Sequence, residues 1–372
     1  MILVNEPVLG ENETRYVMDC MQTGWISSAG GYIEKFEQEW AKYCGMQHGI
    51  AVSNGTAALQ IAVGCLQLEP GDEVIMPSFT IISCIQAITY NNLIPVLVDC
   101  EPETWCMDVA QVEAKITSRT KAIMPVHMYG HPVDMDPILV LAKRHGLKII
   151  EDAAQVHGGE YKGRKCGGMG DISCFSFFAN KIITTGEGGM LLTNDNDYAD
   201  RARKLRNLCF EPGRRFVHKE LGFNYRLTNL QAAIGLAQVE KIDSLVKRKI
   251  EIGRYYLAAF KDVSGIQLPV ERKWAKNVFW MFGLILDEST GETAETFAVK
   301  MRNLGVETRP FFLGMHEQPL FRSQGMYLDE TYPVTERIAR QGVYLPTGLN
   351  LDEGLQVKVV SAVKSILIKG VE

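Results

Sequence analysis

Nowhere among the 372 residues is there a Cys-x-x-Cys, a His-Glu-x-x-His, or a Gly-x-Gly-x-x-Gly following an early strand. These absences argue against a zinc finger or dithiol motif, a zincin-type metalloprotease and a Rossmann dehydrogenase. The cysteines are Cys20, Cys44, Cys65, Cys84, Cys100, Cys106, Cys166, Cys174 and Cys209. They are odd in number and mostly set in apolar runs, so they read as small buried hydrophobes rather than a disulfide framework. The seven histidines show no ligand spacing, and no metal is expected. A basic run is also missing, and the formal charge is -5, which leaves no electrostatic footprint for nucleic acid. The start, MILVNEPVLGENE, lacks the positive region of a signal peptide, and no apolar stretch has the length of a membrane span. The expectation is a cytoplasmic protein with no membrane partner.

What is present is a chain of ordinary globular composition, 46% hydrophobic and 22% charged, large enough for one big core and a smaller companion. Seven short β-rich runs recur between residues 48 and 194: HGIAVSN, DEVIMP, IPVLVDC, TKAIMPVH, LKIIEDAA, DISCFSFF and GMLLTN. They are mostly continuous apolar runs without alternation, as in strands covered on both faces, and stretches such as GTAALQIAVGCL and MDPILVLAKRHG supply helical cover. The fold class is therefore α/β, a layered domain on a mostly parallel sheet, with ligands expected at the carboxyl ends of the strands. One or two helices are predicted over Asn229–Phe260. NVFWMFGLIL (277–286) reads as a strand, TAETFAVKMRNLG (293–305) as a helix ending on Gly305, and LDEGLQVKVVSAVKSILIKG (351–370) as a terminal helix. This second texture predicts a small α+β domain, with boundaries at 1–240 and 241–372.

Three local motifs carry chemistry. In FSFFANKIITTGEGGM, Lys181 follows an apolar run and precedes a glycine-rich turn; a lysine so placed can lose its proton by desolvation and act as an amine nucleophile toward a carbonyl. Most lysines are solvated cations, so the segment needs support from elsewhere. In SNGTAALQ, the N–H groups of Gly55, Thr56 and Ala57 open an apolar helix and suit a phosphate, although Ser53 or Asn54 could simply cap that helix. In EDAAQVHGG, Asp152 ends a buried run, where a carboxylate needs a cationic partner such as a protonated pyridine nitrogen; a helix cap is the structural alternative. Gln155 lies a turn further on, and Ser176 five residues before Lys181 could take a second phosphate oxygen.

In order, SNGTAAL, PSFT, EDAAQ, FSFFANK with TTGEGG, and GFNYRLTNLQAAIGLAQ resemble the sugar-nucleotide aminotransferases of the DegT/StrS type, over nearly the whole chain from GWISSAG to LPTGLN. The resemblance implies pyridoxal 5′-phosphate as cofactor and the aspartate aminotransferase fold (fold type I), a large domain with a seven-stranded sheet plus a small C-terminal domain. It implies Lys181 as covalent attachment point and proton carrier, Asp152 on the pyridine nitrogen, Gln155 on the ring hydroxyl, and Gly55, Thr56 and Ser176 on the phosphate. Asn224 would reach the phosphate held by a neighbouring subunit, so a homodimer with shared active sites is implied. Trp25, Ser27, His127, Tyr129, Arg226, Arg309 and His316 sit in motifs that line the donor and sugar sites. GWISS, KAIMPVHMYGHPVDMDPI, NKIITTGEGGM, ETRPFF and MHEQP are most similar to the subgroup forming GDP-perosamine from L-glutamate and GDP-4-keto-6-deoxymannose, a precursor of surface polysaccharide such as the O-antigen of lipopolysaccharide. Two positions depart from the pattern: Ile81 stands where relatives often have an aromatic ring, and Gln155 where that subgroup often has Glu. Amination of a dTDP-linked 4-ketosugar and a non-catalytic, ligand-binding regulatory relative are the alternatives.

Overall fold

A computed structural model describes residues 1–211, 213 and 216–368. The seven apolar runs form one sheet: β1 (His48–Val52), β2 (Glu73–Pro77), β3 (Ile94–Val98), β4 (Thr120–Ile123), β5 (Lys148–Asp152), β6 (Ile172–Ser176) and β7 (Gly189–Thr193). Their spatial order is β1-β7-β6-β5-β4-β2-β3. Only β7 runs against its neighbours, pairing antiparallel with both β1 and β6. The sheet is thus mostly parallel, and both faces are covered by helices, which is why its strands carry little polar alternation.

The helices used below are α1 (Glu11–Thr23), α2 (Gly31–Cys44), α3 (Gly55–Cys65), α4 (Ile82–Thr89), α5 (Met135–His145), α6 (Asn196–Leu205), α7 (Asn229–Val239), α8 (Ile242–Phe260), α9 (Ala294–Asn303), α10 (Pro333–Gln341) and α11 (Glu353–Leu367). The long periodic run after Asn229 is two helices. The first is started by a capping box in which Thr228 and Gln231 satisfy each other's backbone donors. Thr293 caps α9 in the same way, and Gly305 follows it with φ 80°. Of the expected terminal helix, Glu353–Leu367 is helical, and positions 369–370 lie outside the described residues.

Strands β8 (Ile266–Gln267), β9 (Phe282–Leu286), β10 (Arg309–Pro310) and β11 (Gly342–Leu345) make a second, antiparallel sheet in the order β8-β9-β11-β10. The stretch expected as a strand from 277 is extended only from Phe282, because Phe279 takes a left-handed φ of 47° and turns the chain first. The apolar interior falls into two clusters. One surrounds the large sheet and recruits Trp280, Met281 and Phe311 from the C-terminal half. The other joins α8, α9, α11 and the small sheet, with Ile2 packed against it. All nine cysteines are buried and free. Among the described residues no helix is long and apolar enough to cross a membrane.

Candidate active site

A cavity of about 310 Å³ opens at the carboxyl ends of β5 and β6 and the start of α3. Its base joins Gly55, Thr56, Asp152, Gln155, Ser176 and Lys181, which come from three separate strand-to-loop transitions. Parallel strands deliver their following loops to one edge, so sequence-distant motifs converge there.

At one end lies an anion cradle. Asn54 caps α3 by accepting the Ala57 N–H at 2.8 Å, which removes that group from the donors expected for phosphate and leaves those of Gly55 and Thr56. Capping and phosphate binding, posed as alternatives, are compatible: one donor is capped, and the two that remain are able to take an anion. The Thr56 hydroxyl lies 2.7 Å from that of Ser83, a further hydroxyl on the cavity wall. A Cβ on Gly55 would come within 2.7 Å of Ser176 Cβ, so only glycine lets the helix start and the Ser176 side chain approach this closely.

At the other end sits Asp152, 1% exposed. Its Oδ1 accepts the Ala154 N–H at 3.0 Å and its Oδ2 accepts the Cys84 thiol at 3.0 Å. Neither partner is cationic, so the carboxylate stands ready for a cation in the cavity. Gln155 Oε1 accepts the Tyr129 N–H at 3.0 Å, which leaves the amide Nε2 as the end that can donate into the cavity. Between the two ends stands Lys181, with Nζ 3.6 Å from the centre of the Trp280 ring. The residue has partial solvent access through the cavity, but protein surrounds its amine. That desolvation pulls its pKa down to about 7, and the Asp152 charge opposes the fall only in part. An anion cradle, a carboxylate without a cation and a depressed lysine between them fit pyridoxal phosphate.

The other candidate positions are placed as follows. Tyr129 contributes its backbone N–H; its ring is buried among Phe79, Trp105, Phe311 and Phe312. His127 is not brought to the cavity. It is fully buried, accepts the Val133 N–H on Nδ1 and pairs through Nε2 with Glu151 at 2.9 Å, so both ring nitrogens are consumed by structure. Glu151 also accepts N–H groups from Gly167, Met169 and Gly170. The grouping His127, Glu151 and Cys166 therefore spends its histidine and carboxylate atoms on protein donors rather than on a metal. His316 is likewise buried, 2.8 Å from the Ser78 hydroxyl and against the Tyr332 ring. Arg309 is exposed, paired with Glu307 at 2.7 Å, and stands opposite the cavity residue Tyr344 across β10 and β11, which puts it at the rim. Trp25 and Ser27 lie on an exposed loop held by Asn229, which donates to the Trp25 carbonyl at 2.7 Å and gives its N–H to that of Ser27 at 2.6 Å. Asn224 is exposed and accepts from Arg226 Nε at 3.0 Å; neither lines this cavity.

Sequence reasoning missed the opposite wall. Trp280, Phe312 and Tyr344 close the cavity from the C-terminal half, while Ile81 contributes a small apolar contact. The aromatic cover absent at position 81 thus comes from elsewhere. No local motif marks these residues; a clue was the density of aromatics in NVFWMF. A larger groove of about 1030 Å³ between α1, α2, α7 and α8 is lined by solvated charges such as Lys35, Lys42 and Glu240 and contains none of the candidate site residues.

The sequence pattern of the DegT/DnrJ/EryC1/StrS aminotransferase family matches residues 7–364. The chain is 45% identical to GDP-perosamine synthase of Caulobacter vibrioides over 99% of its own length and 98% of that protein. It is 42% identical to GDP-perosamine synthase of Escherichia coli O157:H7 over 93% of each. Among solved structures, the aminotransferase TlmJ of Streptoalloteichus hindustanus is 29% identical and superposes with a TM-score of 0.92 over 99% of both chains. With the cavity's donor set agreeing, the chain belongs to the DegT/DnrJ/EryC1/StrS family of aminotransferases.

Proposed function

We propose that the protein takes the amino group of L-glutamate and delivers it to C4 of a nucleotide-linked 4-keto-6-deoxyhexose, GDP-4-keto-6-deoxymannose, making GDP-perosamine for surface polysaccharide in the cytoplasm. One observation carries the reading: a lysine amine depressed to about 7 stands between an anion cradle and an uncompensated carboxylate. The substrate rests on the two GDP-perosamine synthases, each similar over more than nine-tenths of its length. A relative named dTDP-3-amino-3,4,6-trideoxy-alpha-D-glucose transaminase is 35% identical over 90% of this chain and supports the dTDP-sugar alternative less strongly. The full set of Lys181, Asp152 and the cradle counts against a purely regulatory relative.

Pyridoxal phosphate supplies an aldehyde and an electron-withdrawing ring that stabilises negative charge on the carbon next to the transferred nitrogen. Gly55 and Thr56 N–H groups and the Thr56 and Ser176 hydroxyls would hold its phosphate. Asp152 would favour a proton on the ring nitrogen, and Gln155 Nε2 would donate to the ring oxygen. Lys181 Nζ, neutral in a large fraction of molecules near pH 7, would be the amine that holds the aldehyde and the group that accepts and returns a proton. Trp280 excludes water from that amine. Arg309 at the rim and Trp25 and Ser27 on their loop take the donor and sugar groups. Asn224, exposed, and Arg226, half-buried, both outside this cavity, complete the site of a second subunit.

Borohydride reduction followed by peptide mass spectrometry should place the cofactor adduct on Lys181, and Lys181→Ala should lose both adduct and turnover; normal activity in that variant ends the proposal. Assaying GDP-4-keto-6-deoxymannose beside dTDP-4-keto-6-deoxyglucose decides the nucleotide. Preference for the latter overturns the substrate assignment alone.

A further inference from the structure

The protein contains a second buried lysine, outside the cavity. Lys249 on α8 is fully buried and has no carboxylate partner among the described residues. Its three N–H bonds go to the Trp280 carbonyl at 3.0 Å, the Thr347 carbonyl at 2.5 Å and the Thr347 hydroxyl at 3.2 Å. Burying an ammonium without a counter-charge costs more than burying a methionine of similar length, so packing alone does not account for a lysine here.

What the lysine touches suggests the reason. The Trp280 indole covers Lys181 Nζ, and its Nε1 donates to the Asn180 carbonyl at 2.7 Å, one residue before Lys181. Trp280 is therefore tethered through its indole to the reactive loop and through its carbonyl to Lys249, with the Thr347 hydroxyl donating to the same carbonyl at 3.2 Å. The same face of α8 fixes the approach to it. Gly253, one turn beyond Lys249, leaves room for the Phe279 ring, against which any Cβ would lie at 2.4 Å. Tyr256, a turn further, donates to the Pro346 carbonyl at 2.9 Å. Phe279 is the left-handed residue that swings Trp280 toward the cavity, a conformation that persists only when its surroundings enforce it.

We propose that Lys249 is a positioning residue for the reactive amine: its Nζ pins the main chain at Trp280 and thereby sets the indole roof over Lys181. The inference rests on Lys181 being the nucleophile. Releasing that roof admits water to Nζ, and because desolvation is the larger influence on this amine, its pKa moves up toward that of an ordinary lysine. The other ionisable groups near it are Asp152, the buried His157, and Glu187 and Tyr344 on the cavity wall, none of which hydrogen-bonds to Lys249.

The test labels the cofactor-free protein with brief pulses of acetic anhydride across pH 6–11 and follows the Lys181 peptide by mass spectrometry. In Lys249→Met the Lys181 midpoint should rise by about one pH unit, a tenfold slower labelling at neutral pH. Trp280→Leu should raise it at least as far, and the double variant no further than Trp280→Leu alone, as expected when one residue acts through the other. Should Lys249→Met fail to fold by thermal melting, Lys249→Gln, which removes the amine but retains N–H donors and leaves the Thr347 bond to the Trp280 carbonyl in place, decides with a smaller shift of the same sign. An unchanged midpoint in the folded variant, or additive shifts in the double, overturns the inference. A wild-type Lys181 that labels like any surface lysine overturns the proposed function as well, whereas a depressed wild-type midpoint indifferent to position 249 removes only this inference.

Discussion

Replacing Gly55 by alanine tests the phosphate cradle without touching a charged or reacting group. The added Cβ would lie 2.7 Å from Ser176 Cβ, 3.2 Å from its Oγ and 3.3 Å from its Cα. The first distance is far inside van der Waals contact, so the start of α3 and the end of β6 must part by several tenths of an ångström. Overpacking of this kind costs about 1–3 kcal/mol, and alanine's helix preference offsets up to about 1 kcal/mol of it. The cofactor-free protein should therefore lose only about 1 kcal/mol. Cofactor binding should suffer more, because the displaced atoms are the proposed phosphate ligands. Losing one charge-assisted hydrogen bond costs about 2 kcal/mol, equivalent to roughly 30-fold in affinity. The assay strips the cofactor and titrates it back, reading absorbance and tryptophan fluorescence. Gly64→Ala on the same helix is the control: its Cβ meets nothing closer than the Asn91 side chain at 3.3 Å, so cofactor affinity should be unchanged. Wild-type affinity in Gly55→Ala would show that phosphate does not bind at this helix start.

Other outcomes follow from the same geometry. Burial lowers the pKa of Lys249 to about 7, so between that value and the ordinary lysine value the unfolded chain holds more protons than the folded one. Wild-type stability should then rise relative to Lys249→Met as pH climbs from 7 to 10, by up to about 1.4 kcal/mol per pH unit, in denaturant titrations at matched pH; a constant difference would contradict this. Burial alone would raise Glu151, but hydrogen bonds from His127, Gly167 and Met169 outweigh it and hold the carboxylate below its usual value. Glu151→Gln should cost about 3 kcal/mol near neutrality, and the cost should shrink as pH falls below 4, because wild type then loses the same charge. Asn229 holds the loop carrying Trp25 and Ser27, so Asn229→Ala should raise KM for the nucleotide sugar about tenfold while cofactor retention stays at the wild-type level.

Much of the large sheet was legible because its evidence is local. Each of the seven strands is a short apolar run that needs no knowledge of its partners, and Gly55, Thr56, Asp152 and Lys181 lie at the ends of such runs, where parallel topology collects loops. Histidines were harder to read. His127 and His316 stand in motifs similar to those lining substrate sites, yet hydrogen bonds to Glu151 and Ser78 draw both into the interior. Whether a polar ring faces a cavity or a buried partner depends on residues more than twenty positions away.

Composition and motif order alone determined that this is an α/β protein with a lysine, an acid and a glycine-opened helix at the ends of its strand runs, because each is a property of a few adjacent residues. Packing alone decided what roofs the lysine. Trp280 arrives through the left-handed turn at Phe279, Tyr344 through its register on β11, and Lys249 from a helix a further sixty-odd positions along from the amine it serves. Contacts across such separations are chosen by the shape and burial of both sides at once, and no stretch of chain carries that information by itself.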